Sequence, residues 1–435
     1  MQSRDLIALG LMTFALFLGA GNVIYPPMVG QHAGYELLAA AGGFLLTAVG
    51  LPLLALVSMA RVGGPEEMTR VLPRSWCQAF WIVLFLVIGP AFAIPRMSVV
   101  AYEMGFDPFL TDPQSWHLAV YSVVFYSVAL LLAFHPSLLV STIGGYITPV
   151  LVVLLAVIAW GTLTAPKGEI GAPVEAYIAH PFSEGLLQGY MTMDCIAALG
   201  FGAVIGMSVR QLGITHPVIV AKYSAYAGVM AAVGLCLVYL MLMYLGATSH
   251  SVAAGATNGA EVLTSYVEAL FGFPGKLALA AVITLACLTT AIGVGSACAN
   301  YFSQTFKTSY PLMLTAVMVI SAVVSNAGLT ELIAISVPAV VALYPLAVAL
   351  IVMGLLRYKI SNAPVVYRYT FFVVAMFAIF DGLNTASLAP EAIVDVLTQY
   401  LPLFKQGLGW ILPFIITLTF TWFFTLKRKK NTAIA

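Results

Sequence analysis

The chain has 435 residues, of which 61% are hydrophobic and only 8% charged, whereas soluble domains carry about 25% charged residues; that composition excludes an ordinary soluble domain and defines an integral membrane protein. A formal net charge of +1, with the few charges gathered in short loops, leaves no basic patch or stripe for nucleic acid, and that partner class is excluded. The five cysteines, Cys77, Cys195, Cys236, Cys287 and Cys298, fall in or at the ends of apolar segments without a CxxC pair, which reads as buried reduced thiols and not as a metal site.

A bilayer core of about 30 Å asks for roughly 20 apolar residues per helix. In chain order, runs of that length predict twelve helices, at 6–29, 37–60, 77–102, 117–134, 138–163, 189–208, 218–247, 276–301, 309–326, 329–356, 366–388 and 403–426. The first run is too long for a signal-peptide core and has no small-residue cleavage site, so it is expected to remain as the first span. The weakest separation is HPS at 135–137, between the fourth and fifth helices. The longest connections, 164–188 and 248–275, either fold over the outer mouth as short capping helices or run as plain surface loop.

Lys and Arg stay cytoplasmic in short loops. With the N-terminus inside, the inner connections hold fourteen of them against three outside (Lys167, Lys276 and Lys405), with Arg96 left within the third helix. Both termini are therefore expected in the cytoplasm. The terminal KRKKN run at 427–431 is either a stop-transfer flank or a lipid-binding patch.

Two segments repeat. LGAGNVI at 18–24 and LGFGAVI at 199–205 match at five of seven positions. They lie in helices one and six, so five helices separate them and the second unit inserts upside down. This is the inverted-repeat arrangement of secondary transporters, whose sites lie at the midplane where two helices are broken. Glycine lets the backbone leave helical geometry, and a break frees N–H groups suited to a carboxylate and carbonyls suited to a small cation. The competing reading is close helix packing through small residues.

GAGNVIYPPMVG at 19–30, the twelve-helix pattern and LGFGAVIG at 199–206 resemble the bacterial branched-chain amino acid:cation symporter family, within the LeuT-type superfamily of amino acid transporters. The resemblance covers essentially the whole chain. It implies an all-α transmembrane transporter domain over 1–435, built as a five-plus-five inverted repeat (about 6–163 and 189–356) with broken helices one and six, followed by helices eleven and twelve at about 366–426. It implies uptake of leucine, isoleucine and valine coupled to sodium across the bacterial inner membrane, with no other cofactor and no enzyme activity. Carried onto this chain, it places the substrate at Gly19, Ala20, Gly21, Asn22, Gly200, Phe201 and Gly202, with the carboxylate near the amides of Ala20 and Gly21 and Phe201 walling the side chain. It places sodium between the carbonyls of Ala15 and Leu18 and the eighth-helix residues Ala286, Thr289 and Thr290. For both threonines the alternative is back-bonding within their own helix. Asn22 either ligates a second ion or braces the unwound backbone; Ile196 stands where a second site needs a hydroxyl, so one ion per substrate is expected.

Three further membrane-embedded polar residues are candidates for gating or coupling. Arg96 and Glu103, two turns apart on one helical face, either form an outer gate or, for Arg96, snorkel to the surface. Asp194 opens the second half of the broken sixth helix, where it either binds a proton or an ion or serves as a helix-start residue. Asp381, in helix eleven, suits packing or an oligomer contact. A proton-coupled carrier of neutral amino acids is the alternative within the transporter class. No nucleophile, metal cluster or paired carboxylates support an enzyme, and no filter sequence supports a channel.

Overall fold

Each of the twelve predicted runs contains a helix in the computed structural model, which describes residues 3–112, 114–134, 140–360 and 362–432. The first run divides into α1 (Ser3–Phe17) and α2 (Ala20–Ala33). The second is α3 (Leu37–Leu45) and α4 (Leu51–Val62), joined by a π-helical turn. A short α5 (Pro65–Thr69) leads to α6 (Arg74–Leu86) and α7 (Ala93–Gly105), then to α8 (Ser115–Ala133) and α9 (Thr148–Thr164). The second half holds α10 (Pro181–Met191), α11 (Asp194–Gln211), α12 (Pro217–Ala247), α13 (His250–Ala253) and α14 (Gly259–Phe306). It ends with α15 (Tyr310–Val324), α16 (Leu329–Leu356), α17 (Ala363–Thr385), α18 (Glu391–Tyr400) and α19 (Ile411–Thr432).

By length and apolarity, nine helices among the described residues can cross a bilayer, or ten if the bent pair α10 and α11 counts as one span. This does not reach the expected twelve. Breaks divide spans into halves, and α1, at 15 residues, falls short alone. The HPS separation at 135–137 lies outside the described residues.

The first break stands where the glycines predict it. Gly19 is extended (φ −107°, ψ −166°) between α1 and α2. The second does not. Residues 199–202 remain helical within α11, and the chain instead breaks at Thr192–Met193, with α10 and α11 bent by 41°. Met193 adopts the left-handed conformation at φ 64°, at a cost of about 1–2 kcal/mol for a side-chain-bearing residue. Gly200 and Gly202 serve packing instead: a β-carbon on Gly200 would stand 3.2 Å from Phe85 Cε1, and on Gly202 2.7 Å from Met59 Cε. A third break divides helix three, where Gly89 leaves helical geometry (ψ −125°) beside Pro90 in the π-helical turn Val87–Ala91; proline removes a helix hydrogen bond and clashes with the preceding turn. A fourth, at Gly272 (φ 59°) before Pro274, bends α14.

The two long connections are partly helical. Helix six begins at Pro181 instead of 189, and α14 at Gly259 instead of 276. The remainder of the first connection clasps the ends of α2 and α12: Tyr35 N–H donates to Gly171 O (3.1 Å), Val174 N–H to His32 O (2.9 Å) and Gly171 N–H to Ala247 O (3.3 Å).

Helix α2 is held backbone to backbone. A β-carbon on Gly246 would overlap the Pro27 carbonyl, one on Gly30 the Met243 carbonyl, and one on Gly259 the Ile24 carbonyl. Small residues permit this approach between membrane helices. Gly246→Ala is therefore expected to lose about 1–3 kcal/mol, the usual cost of overpacking, read as a lower midpoint in a thermal unfolding or fluorescence-detected aggregation assay. An unchanged midpoint would contradict this contact.

Candidate functional site

The break after α1 redirects a backbone group. In an unbroken helix Gly19 N–H would donate to Ala15 O, four residues earlier. Here it donates to Phe17 O (2.8 Å) and to Asn22 Oδ1 (3.0 Å), releasing the Ala15 carbonyl from that bond. Two hydroxyls from α14 replace it: Thr289 Oγ1 and Thr290 Oγ1 each lie 3.1 Å from Ala15 O. Thr289 Oγ1 also lies 3.0 Å from Ala286 O, so its back-bond coexists with the reach to α1. The residues expected to surround a cation, Ala15, Ala286, Thr289 and Thr290, thus meet, presenting hydroxyl and carbonyl oxygens of the kind a hard cation takes. Leu18 lies in the break itself and is fully buried.

Asn22 joins the two breaks. Its Oδ1 accepts from Gly19 N–H, and its Nδ2 donates to Asp194 Oδ2 at 2.5 Å and to Tyr239 Oη. Tyr239 Oη–H donates in turn to Asp194 Oδ2 at 2.9 Å. All three side chains are buried. Asn22 is thus hydrogen-bonded to both breaks, and the buried Ile196 has no side-chain oxygen.

Gly19, Ala20, Gly21, Asn22, Phe201, Thr290, Asp194 and Arg96 line one narrow cavity of about 20 Å³, room for about one water. A larger guest requires the walls to part. Apolar residues complete the lining, among them Phe17 and Ile88, with Phe17 edge-on to Phe201 at 5.1 Å between ring centres. Arg96 does not snorkel: it is 4% exposed. Its Nη1 donates to Tyr25 Oη and to Met191 O, both at 3.2 Å, and its guanidinium lies over the Tyr25 ring at 5.7 Å. A β-carbon on Gly21 would stand 2.9 Å from Arg96 Nη2 and 3.1 Å from Thr192 Cα, so glycine is required where the two breaks approach.

Three expected residues lie elsewhere. Gly200 and Gly202 pack α11 against neighbouring side chains, and Gly202 lines a separate cavity with Arg61 and Arg210. Glu103 does not pair with Arg96; it lines a cavity with Asp107 and Glu261. Asp381 is buried in α17 with Oδ2 lacking a hydrogen-bond partner. Missed from the sequence were Tyr239, Tyr25 and the Met193 break; TMD at 192–194, polar within an apolar run, is the one local signal for the last.

Fold and broken helices together define a multi-pass, all-helical membrane architecture of the LeuT type. Solved structures with this architecture include a nucleobase-cation-symport-1 family transporter, Mhp1, with bromovinylhydantoin bound (TM-score 0.58, 12% identity, covering 98% of this chain and 93% of that one). Another is MhsT in complex with L-phenylalanine (TM-score 0.54, 13% identity, covering 97% of each chain). The family model described as branched-chain amino acid transport protein matches residues 2–428, and the chain belongs to that family. It is 48% identical over 419 residues to the branched-chain amino acid transport system 2 carrier protein of Pseudomonas aeruginosa, covering 96% of this chain and 95% of the relative. It is 40% identical over 417 residues to the branched-chain amino acid permease BrnQ of Escherichia coli, covering 96% and 94%. These relatives are carriers and permeases, and the chain is a transporter, not an enzyme.

Proposed function

We propose that the chain takes up leucine, isoleucine and valine across the bacterial cytoplasmic membrane, coupled to sodium, by alternating access, with both termini cytoplasmic. The relatives named as branched-chain amino acid carriers support the substrates. The meeting of the Thr289 and Thr290 hydroxyls at the released Ala15 carbonyl carries the coupling. Sodium held there, with Leu18 and Ala286 as further carbonyl donors, fastens α1 to α14 and so favours the conformation in which the substrate walls are formed, a shift a ligand produces by binding one state better than the other. The substrate carboxylate lies at the amides of Ala20 and Gly21, and Phe201 with Phe17 encloses the branched side chain. One methylene is worth about 1–3 kcal/mol in such a pocket, so all three substrates share it.

The test is leucine uptake into proteoliposomes under an inward sodium gradient compared with an equal potassium gradient. Sodium-dependent accumulation is expected. Thr289→Ala is expected to raise the sodium concentration for half-maximal uptake by about tenfold, the loss of one oxygen donor at about 1.5 kcal/mol. A second reading keeps the carrier but couples it to protons, favoured by the burial of Asp194 between Asn22 and Tyr239. Uptake that follows an imposed pH gradient and ignores sodium would sink the sodium reading and support that one.

A further inference from the structure

Arg96 is a buried cation in the middle of a transporter, and among the described residues it makes no ion pair. Its Nη1 is bonded to neutral oxygens, while its Nε is buried without any hydrogen-bond partner. A guanidinium carries five N–H donors in a fixed fork, and holding one in a membrane interior without an anion is costly. Across the same cavity stands a carboxylate, Asp194. Asn22 and Tyr239 donate to its Oδ2 and the Thr192 hydroxyl is a further partner of the carboxyl group, but a carboxylate offers about four acceptor sites over its two oxygens. The cavity therefore has a cationic group from α7 and an anionic group from α11 in its lining, together with Phe17, Ile88 and Phe201.

We propose that Arg96 and Asp194 form a clamp for the two charges of a free amino acid, Arg96 receiving the α-carboxylate and Asp194 the α-ammonium. This rests on the transport reading above and names the head-group chemistry of that site. Nη2 of Arg96 already stands beside Gly21, so the guanidinium fork and the freed amides of α2 converge on one carboxylate. Arginine suits this task because its fork matches a carboxylate with two parallel bonds. The guest completes the site's charge arrangement: Arg96 and Asp194 share the cavity without a direct ion pair, and each gains a contacting opposite charge when the zwitterion arrives. A keto acid lacks the charge for Asp194, and an amine lacks the charge for Arg96. Arg96 is accordingly a substrate ligand, and the gating role considered for it is not needed.

The experiment is equilibrium binding of radiolabelled leucine to the purified full chain in lipid nanodiscs, competed by leucine, by 4-methyl-2-oxopentanoate (no ammonium) and by 3-methylbutylamine (no carboxylate). The parent is expected to discriminate against both analogues by at least about 100-fold, as sites built around hydrogen-bonded groups do. Asp194→Asn is expected to lose at least about tenfold of the discrimination against the keto acid while keeping that against the amine; Arg96→Gln is expected to do the reverse. A purely structural role would weaken all ligands together. Equal discrimination in parent and variants, or a parent that binds the keto acid as tightly as leucine, overturns the clamp. Arg96→Lys, which keeps the charge and loses the fork, supplies an intermediate case if Arg96→Gln fails to fold. If the parent ignores leucine but binds another neutral amino acid with both analogue penalties, the substrate assignment falls and the clamp stands. If it binds no free amino acid, both fall.

Discussion

Gly21→Ala is expected to cut leucine uptake by at least about fivefold while leaving the protein folded. The added β-carbon would stand 2.9 Å from Arg96 Nη2 and 3.1 Å from Thr192 Cα. Arginine can swing away, but Thr192 belongs to the second helix break, whose backbone is set by the left-handed Met193 beside it. The methyl group therefore wedges the two broken helices apart at the point where the site closes. Overpacking costs about 1–3 kcal/mol, which corresponds to about a 5- to 150-fold loss when it falls on the transport step. Gly206→Ala is the control, because the nearest atom to its β-carbon is Val220 Cγ1 at 3.8 Å. Initial uptake rates normalised to monodisperse protein check the pair; equal rates in the two variants would show that the approach of the breaks is not limiting.

Asn22→Leu should be more damaging still, reducing both uptake and thermal stability. Asn22 accepts from Gly19 N–H and donates to Asp194 and Tyr239. Leucine deprives Gly19 N–H of that acceptor and the Asp194 carboxylate of one of its donors, and a buried polar group left unsatisfied costs about 1–3 kcal/mol, more when it is charged. Uptake is expected to fall by at least about 30-fold, with a lowered unfolding midpoint. Tyr239→Phe is milder, because Asn22 still reaches Asp194; the net worth of one hydrogen bond, about 0.5–1.5 kcal/mol, gives a loss of roughly two- to twelvefold. If Asn22→Leu were no worse than Tyr239→Phe, Asn22 would not be the joint between the two breaks.

The ranking depends on the network, and the network is where sequence reading stopped. For Asn22 the sequence offers two readings, a second-ion ligand or a brace for the unwound backbone, and does not say which partners it meets. Tyr239 carries no local signal: it is one tyrosine among many in a long helix, and only the packing of α12 against α2 brings it to Asn22 and Asp194. The second LGxG copy misled for a physical reason. A glycine has no β-carbon, which serves a kink and a close contact equally, and a one-dimensional pattern does not distinguish them. In α2 the glycine stands beside a break; in α11 Gly200 and Gly202 make room for Phe85 and Met59. The break that does occur carries Met193, a residue with no intrinsic preference for left-handed geometry.

By itself the sequence determined the membrane class, the apolar runs and the first helix break, because hydrophobic length and glycine tolerance are local properties. The residues expected to hold sodium come from the family resemblance; what the structure shows is that the Thr289 and Thr290 hydroxyls reach the Ala15 carbonyl. Tertiary structure alone decided where the charges went. From the sequence Arg96 either forms an outer gate or snorkels to the surface, but the Gly89–Pro90 interruption precedes α7, and Arg96 ends buried beside Gly21. Glu103, two turns further on, goes to another cavity with Asp107 and Glu261. Spacing along an ideal helix gives a residue's neighbours only while the helix stays ideal, and this chain places its breaks where its charged and polar groups must meet.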